Sequence, residues 1–309
     1  MMISRDKFTA LETNRPMVQN GPIVQGRTLY LDGDGLAYFC SGSDTTSRAE
    51  AMGNLEGFIL EKLRLSRAQR GVILVTAPES HKGYRYAVAT VKPYQGNRNS
   101  GRRPKNWEAL RNALLGNASL FGFAIKTTDT YEADDLFGIL AKADDVICTQ
   151  DKDMRMVPAT HMDWHDNHFV ATGGHTWECR HYGTVYGRKW FWLQMLMGDT
   201  ADNIPGLPRL NGKLCGEVTA KHYLRAARFE KDAALLVHEA YFKHYGEQAI
   251  QMMCEQAFLL WMRWQPDVLD VFNKTYGPLK YLGQEALDIG RAYITKVISE
   301  QTQDNWNSK

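Results

Sequence analysis

Four times along this chain an apolar run gives way to a tight group of carboxylates. Leu29-Tyr30-Leu31 leads into Asp32 and Asp34, and Thr130-Tyr131 into Glu132, Asp134 and Asp135. Val146-Ile147-Cys148 leads into Asp151 and Asp153, and Leu196-Met197-Gly198 into Asp199 and Asp202. A fold that gathers these groups must hold eight or nine carboxylates in one place. Two unit charges about 4 Å apart repel by roughly 4 kcal/mol at an effective dielectric of about 20. Protons or cations must therefore neutralise such a cluster, and oxygen-only ligands select hard cations such as Mg²⁺ or Mn²⁺. Two such ions about 3.5–4 Å apart suit phosphodiester hydrolysis.

Each acidic group also has an ordinary reading. Asp129, three residues before Glu132, fits a capping box, and acids in a first helical turn complement the helix dipole. That accounts for Glu132 but not for three acids within four residues of an apolar helix. Asp151 and Asp153 lie two apart, on one side of an extended chain, and fit a solvated loop. Asp199 and Asp202 lie three apart, on one helical face, and fit a helix end. The four groups in this order are harder to explain by accident than any one of them.

The rest of the pattern predicts an α/β protein with a mostly parallel sheet. Residues 1–27 are polar, broken by Pro16, Gly21, Pro22 and Gly26, and read as an extension. Strands are expected at 28–31, 72–75, 121–125 and 146–148, and helices at 48–66, 106–117 and 129–143. Such alternation places ligand groups at the carboxyl ends of the strands. Residues 155–188 read as short strands with turns at Asp166-Asn167 and Gly173-Gly174. From Trp190 onward the pattern turns helical, at about 190–198, 216–229, 232–245 and 247–264. The α/β core is thus expected over 28–188, a helical subdomain over 189–270, and a helical segment with a frayed tail over 271–309.

From His81 to Trp107 the charged residues are all basic save Glu79 just before: Lys82, Arg85, Lys92, Arg98, Arg102, Arg103 and Lys105. Tyr84, Tyr86, Tyr94 and Trp107 are interleaved. Cations with aromatic platforms suit a single-stranded or frayed nucleic acid. The other reading is a flexible, solvated loop. His161, His165, His168, His175, His181 and Cys179 also crowd together, but their spacing fits no standard zinc pattern, and polar hairpins explain them.

Net charge is only +2, so the local run, not the total, argues for a polyanion. Five cysteines without a C-x-x-C pair argue for a reducing compartment. The first residues hold no apolar core of signal-peptide length, and no run approaches the roughly 20 apolar residues of a membrane span. A cytoplasmic chain, within the bacterial host if phage-encoded, is expected.

Taken in order, these motifs resemble the 5′-nuclease family, which includes flap endonucleases and the 5′-nuclease domain of bacterial DNA polymerase I. Size and the PYQGNR segment look most like the 5′→3′ exonucleases of short-tailed (T-seven-type) bacteriophages. The family's first-strand aspartate matches Asp32, its E-x-D-D helix Glu132, Asp134 and Asp135, and its D-x-D Asp151 and Asp153. Its G-D-x-x-D-N-I-x-G segment matches residues 198–206 without a break. The resemblance implies a PIN-like sheet, a basic arch at about 79–107 and a helix–three-turn–helix that grips duplex DNA. It implies two Mg²⁺ or Mn²⁺ ions, with Asp32, Asp134, Asp135 and Asp151 nearest them and Glu132, Asp153, Asp199 and Asp202 acting through water. Arg98 carries over as a cation for the scissile phosphate. The family's lysine does not, since Gln95 stands in its place; Lys92 is the substitute considered. Lys82, Arg85, Tyr94, Arg102, Arg103, Lys105 and Lys213 are the expected DNA contacts. The implied partner is duplex DNA with a 5′ end, nick or flap, with an RNA–DNA hybrid as an extension, bound by a monomer without a membrane. The aspartate usual after the second strand is missing here; Glu79 is a loose replacement.

Rival readings remain. A haloacid-dehalogenase-type phosphatase would use Asp32-Gly33-Asp34 and the GDTADN segment, but leaves Glu132–Asp135 and the basic span without roles. A non-catalytic DNA-binding protein would treat the acids as solvated. A ribonuclease with a related acidic core is the nearest alternative.

Overall fold

A computed structural model describes residues 21–98 and 102–307. The proposed extension over 1–27 lies largely outside them, and its end is not an extension: Val24–Asp32 forms β1. The remaining strands of the main sheet are β2 (Ala68–Thr76), β3 (Ser119–Leu120), β4 (Phe123–Thr128), β5 (Val146–Cys148), β6 (Thr160–Met162) and β7 (Phe169–Ala171). Their spatial order is β3-β4-β2-β1-β5-β6-β7. The five inner strands run parallel, and β3 and β7 close the edges antiparallel. The fold is α/β, with helices on both faces of this sheet.

The chain steps from β1 toward β2 and β4, then returns to place β5 on the other side of β1. The switch point therefore lies between β1 and β5, where ligands gather in open α/β sheets. Leu29, Leu31, Ile73, Val75, Val146 and Cys148 are buried together on one face of the sheet. Tyr30, Val72, Leu74 and Ile147 face the other core. This alternation fixes which residues leave the strand ends pointing outward.

The helices are α1 (Gly33–Phe39), α2 (Arg48–Ser66), α3 (Arg85–Val88), α4 (Trp107–Leu115), α5 (Ala133–Leu140) and α6 (Arg188–Met197). They continue with α7 (Glu217–Tyr223), α8 (Glu230–Tyr245), α9 (Ala249–Leu260) and α10 (Gln284–Asn307). Helix α2 falls on the expected residues because Ser47 and Glu50 close a capping box at its start. Helix α5 is shorter than the expected 129–143. Its cap is Glu132, and the carbonyls of Asp129 and Thr130 instead accept the amides of His81 (2.8 Å) and Gly83 (2.7 Å).

Two small hairpins were not among the expected elements. The expected turn at Gly173-Gly174 is present, closed by the Thr176 amide on the Gly173 carbonyl at 3.0 Å, and a further hairpin, β8 (Cys179–His181) with β9 (Thr184–Tyr186), turns at Tyr182-Gly183. Residues 209–214 form a hairpin of β10 (Arg209–Leu210) and β11 (Lys213–Leu214), between the helices expected at 190–198 and 216–229. No helix among the described residues is long and apolar enough to cross a membrane.

Candidate active site

At the carboxyl ends of β1, β2 and β5 opens a cavity of about 1450 Å³. Asp32, Asp34, Glu132, Asp134 and Asp151 line it, with Lys82, Gln95, Arg98, Arg103 and Trp107 on its rim. Asp32 ends β1 and caps α1, its Oδ1 accepting the Gly35 amide at 2.9 Å. Its Oδ2 accepts the Thr149 hydroxyl at 3.2 Å, which ties β1 to the segment after β5 across the switch point. Asp151 accepts the amide of Asp153 at 2.7 Å. Asp134 lies in the first turn of α5 and has no hydrogen-bond or ion-pair partner among the described residues.

Behind Asp151, ligand oxygens of Asp153, Asp199 and Asp202 lie within 4.8 Å of one another. Gly198 and Gly206 build the turn that presents the last two. Both have positive φ, 70° and 58°, and a Cβ on Gly198 would come within 2.6 Å of the Gly206 amide. Lys152 reaches into this group, 2.6 Å from Asp199 Oδ2 and 3.3 Å from Asp153 Oδ1. Gln194 of α6 donates to Asp153 at 2.6 Å.

Burial and mutual repulsion raise Asp32, Asp134, Asp151 and Asp153. Burial, then the neighbouring Asp34 and Asp151, pushes Asp32 up to about 7. Burial raises Asp134 well above the usual carboxylate range, with Asp151 and Asp32 adding to it. Asp151 and Asp153 are raised for the same reasons. Such groups hold their charge cheaply only beside a cation, so the donor set fits hard divalent ions. Oxygens of Asp153, Asp199 and Asp202 lie close enough together to share one ion, and Asp32, Asp134 and Asp151 line the cavity in front of them.

Asp135 behaves in the opposite way. It is fully buried, and two guanidiniums take both its oxygens. Arg85 reaches Oδ2 at 2.7 Å and Oδ1 at 2.9 Å, and Arg263 reaches Oδ2 at 2.7 Å. Its carboxyl is held well below the usual range by Arg263 and Arg85, which outweigh burial. With no oxygen left for a cation, Asp135 departs from the expected role of metal ligand. Arg85 is likewise fully buried, also bonded to Glu132 and to the carbonyls of Leu259 and Trp261. Its donors all go to the protein and none faces solvent, unlike those of an expected DNA contact. Arg263 was not singled out in the sequence: nothing in its surroundings, Met262 and Trp264, signals an ion pair.

The basic span divides further. Tyr94 is buried, its hydroxyl within 2.8 Å of Glu132 Oε2 and 3.1 Å of Asp202 Oδ2, so its ring is no base-stacking platform. Arg98 stands half exposed at the cavity mouth, paired with Asp202. Arg103 lies over the Trp107 ring at 4.2 Å. Arg102 and Lys105 are exposed and reach Asp44. Lys92 is exposed and lines no part of the cavity, so it does not replace the missing lysine. Glu79 is exposed as well and stands outside the cavity. Beside the end of β2 it is Asp34 that sits in place, accepting the Thr76 amide at 3.1 Å and Arg111 at 3.2 Å. Lys213 is exposed on the β10–β11 hairpin. In the histidine-rich stretch, only His168 joins a ligand-type group, with Asp163 and Asp166. His161 is buried and bonded to Val157 O and Thr172 Oγ1, an ordinary core histidine.

No family model matches the chain. Over 212 residues it is 28% identical to the thermostable DNA polymerase I of Thermus aquaticus, covering 65% of this chain and 24% of that protein. DNA polymerase I of Deinococcus radiodurans is 27% identical over 203 residues, 62% of this chain and 20% of that protein. The chain thus spans about a quarter or less of the length of the curated relatives it matches. Among solved structures, the bacteriophage T5 flap endonuclease in a pseudo-enzyme–product complex with DNA and metal ions superposes with a TM-score of 0.51 at 15% identity. A bacteriophage T5 protein co-crystallised with metal ions gives 0.50 at 16%. Each match covers 88% of this chain and 99% of the other, and at such identity the likeness is one of fold. In motif order, in sequence over about two thirds of its length and in fold, the chain resembles the 5′-nuclease family.

Proposed function

We propose that this chain is a divalent-metal-dependent 5′ nuclease that hydrolyses phosphodiesters from the 5′ end of duplex DNA, at ends, nicks or flaps. The observation that carries the proposal is the cavity itself. Carboxylates from three separate segments converge at the sheet's switch point, and Asp134 among them has no compensating partner. Asp32, Asp134 and Asp151 would hold one hard cation, and Asp153, Asp199 and Asp202 a second. When bound, such ions supply a nucleophilic water at neutral pH and offset charge on the attacking and leaving oxygens.

The chain's own side chains do the rest. Arg98, held at the mouth by Asp202, faces an incoming phosphate and offsets charge that develops on it. Trp107 and Arg103 form the opposite rim, where an unpaired terminal nucleotide can stack and be held. Arg102, Lys105 and Lys213 remain exposed for backbone phosphates of the duplex. All the acids come from one chain, so a monomer suffices. Mg²⁺ as the working ion, action on RNA–DNA hybrids, and service in phage DNA replication and recombination belong to the same proposal.

The test is incubation with 5′-labelled blunt, nicked and flapped duplexes in Mg²⁺ or Mn²⁺. Wild type should release label as mono- or short oligonucleotides, and Asp134→Asn or chelator should stop it. A wild type that binds DNA without cutting it, or a variant that cuts as well as wild type, overturns the reading.

A further inference from the structure

We propose that Lys82 is the cation this chain sets against the scissile phosphate, in the place vacated where Gln95 replaces a lysine. The inference rests on the nuclease reading above. Gln95 is not an idle replacement. Its amide nitrogen donates to Asp202 Oδ1 at 3.0 Å and Glu132 Oε1 at 3.3 Å. Its amide oxygen accepts the Lys82 ammonium at 2.6 Å. Carboxylates at one end and an ammonium at the other leave only one sensible orientation for the carboxamide. An ammonium thirteen positions earlier is thus tied to the Gln95 carboxamide at the cavity wall.

The backbone around Lys82 is built to deliver it. Lys82, Gly83 and Tyr84 have φ of 48°, 59° and 66°, three left-handed residues in a row. Lysine and tyrosine there cost free energy, and such strain persists only where surrounding contacts over-determine it. Those contacts are present. The Lys82 amide donates to Ser80 Oγ at 3.1 Å, the Gly83 amide to Thr130 O at 2.7 Å, and Arg263 to Gly83 O at 2.9 Å. Arg263 is the same buried guanidinium that binds Asp135. The sealed ion-pair network thus fixes the turn that aims Lys82 into the cavity.

An ammonium has three N–H donors. Gln95 takes one and Glu132, at 3.4 Å, a second. The third remains for a phosphate oxygen at the cavity lip, with the Tyr86 ring 5.4 Å away as the other wall. Lys92, the other basic candidate, is exposed and outside the cavity.

The test uses four variants on the 5′-labelled nicked duplex, with single-turnover rates in Mg²⁺, DNA affinity in Ca²⁺ and melting temperature. Lys82→Asn removes the charge with a residue that tolerates a left-handed backbone. It should slow cleavage about 100- to 1000-fold, the loss typical of one transition-state donor, with affinity changed less than about threefold and melting intact. Lys92→Asn should cleave within about threefold of wild type. Gln95→Lys alone should be slow, because two ammoniums then crowd one point. Combined with Lys82→Asn it should recover at least about tenfold over Lys82→Asn. The inference is overturned if Lys82→Asn cleaves within about threefold of wild type, if its loss lies in affinity instead of rate, or if the double variant recovers nothing. A wild type that cleaves no substrate overturns the nuclease reading, and this inference with it; an active wild type beside an active Lys82→Asn overturns this inference alone.

Discussion

Asp134 and Asp135 are adjacent in sequence, share the first turn of one helix, and live in opposite electrostatic worlds. On one side of α5 lies the open acidic cavity, where Asp32, Asp134 and Asp151 face one another with little positive charge between them. On the other side lies a sealed network in which Asp135 is matched by Arg85 and Arg263, while Glu132, on the cavity wall, also reaches Arg85. A rotation of about 100° along the helix separates the two. The cavity holds charge that folding cannot compensate, and that is what a cation site requires. The network holds one charge, that of Asp135, that folding compensates, and that is what a scaffold requires. Position in a motif does not separate the two roles; the identity of the distant partner does.

The largest effect should come from neutralising each acid in turn. Asp134→Asn should lower cleavage at least about 100-fold while leaving the fold intact, since no partner is lost. Asp135→Asn should act the other way round. Removing one member of a buried ion-pair network costs about 3–5 kcal/mol, or on the order of 10 °C of melting temperature in a chain of this size. Arg263→Met should act in the same direction and by less, because Arg85 still holds both oxygens of Asp135. Denaturant unfolding and single-turnover cleavage on the same preparations would separate the two signatures. If Asp135→Asn melts like wild type but is inactive, the division between cavity and network is wrong.

How much of this division was legible in the sequence follows from the range of the contacts involved. The sheet, helix α2 and the four acidic groups were readable because they depend on local periodicity and capping, as Ser47 and Glu50 show. Convergence of Asp32 and Asp151 followed from placing acids after parallel strands. The fate of Asp135 was not readable. Its partners are 50 and 128 residues away, and neither Arg85 nor Arg263 carries a local mark of burial. Arg85 sat in a basic run and read as a phosphate contact for that reason. The overlong reading of α5 failed similarly: the carbonyls of Asp129 and Thr130 serve the loop at His81–Gly83, a contact the helical pattern cannot reveal.

Acidity offers a sharper comparison, because the two regions should respond to pH with opposite sign. Asp32 has its folded value raised to about 7, so the folded state binds its proton more tightly than the unfolded chain does. Its contribution to stability is complete below the ordinary carboxylate value near 4 and is lost as pH rises through about 7. Asp135 has its folded value depressed, so its contribution is present above the ordinary value and is lost as pH falls through the folded one. In chelator, the melting temperature should therefore rise as pH is lowered from 8 to 5, then fall in stronger acid. Asp32→Asn should flatten the rise and leave the acid fall in place. A melting temperature that drops steadily from pH 8 to 5 in wild type would show that the cavity acids are compensated after all.

The smallest effect is also the most specific to an ion-binding cavity. In chelator, Asp134→Asn removes one of several mutually repelling charges and breaks no contact, so it should stabilise the protein by about 0.5–2 kcal/mol. Loss of function and gain of stability at one position is the mark of a site whose ground state is strained by charge. Divalent ions should erase the difference. At an ion concentration about 100 times the dissociation constant, binding to the folded state alone adds about 2.7 kcal/mol. Wild type should gain that in Mg²⁺ or Mn²⁺, and Asp134→Asn distinctly less, because it lacks a ligand oxygen. Four melting curves, two proteins with and without ion, measure the coupling directly. Equal ion-induced shifts in both proteins would place the bound ion away from Asp134, with the group of Asp153, Asp199 and Asp202 as the remaining site.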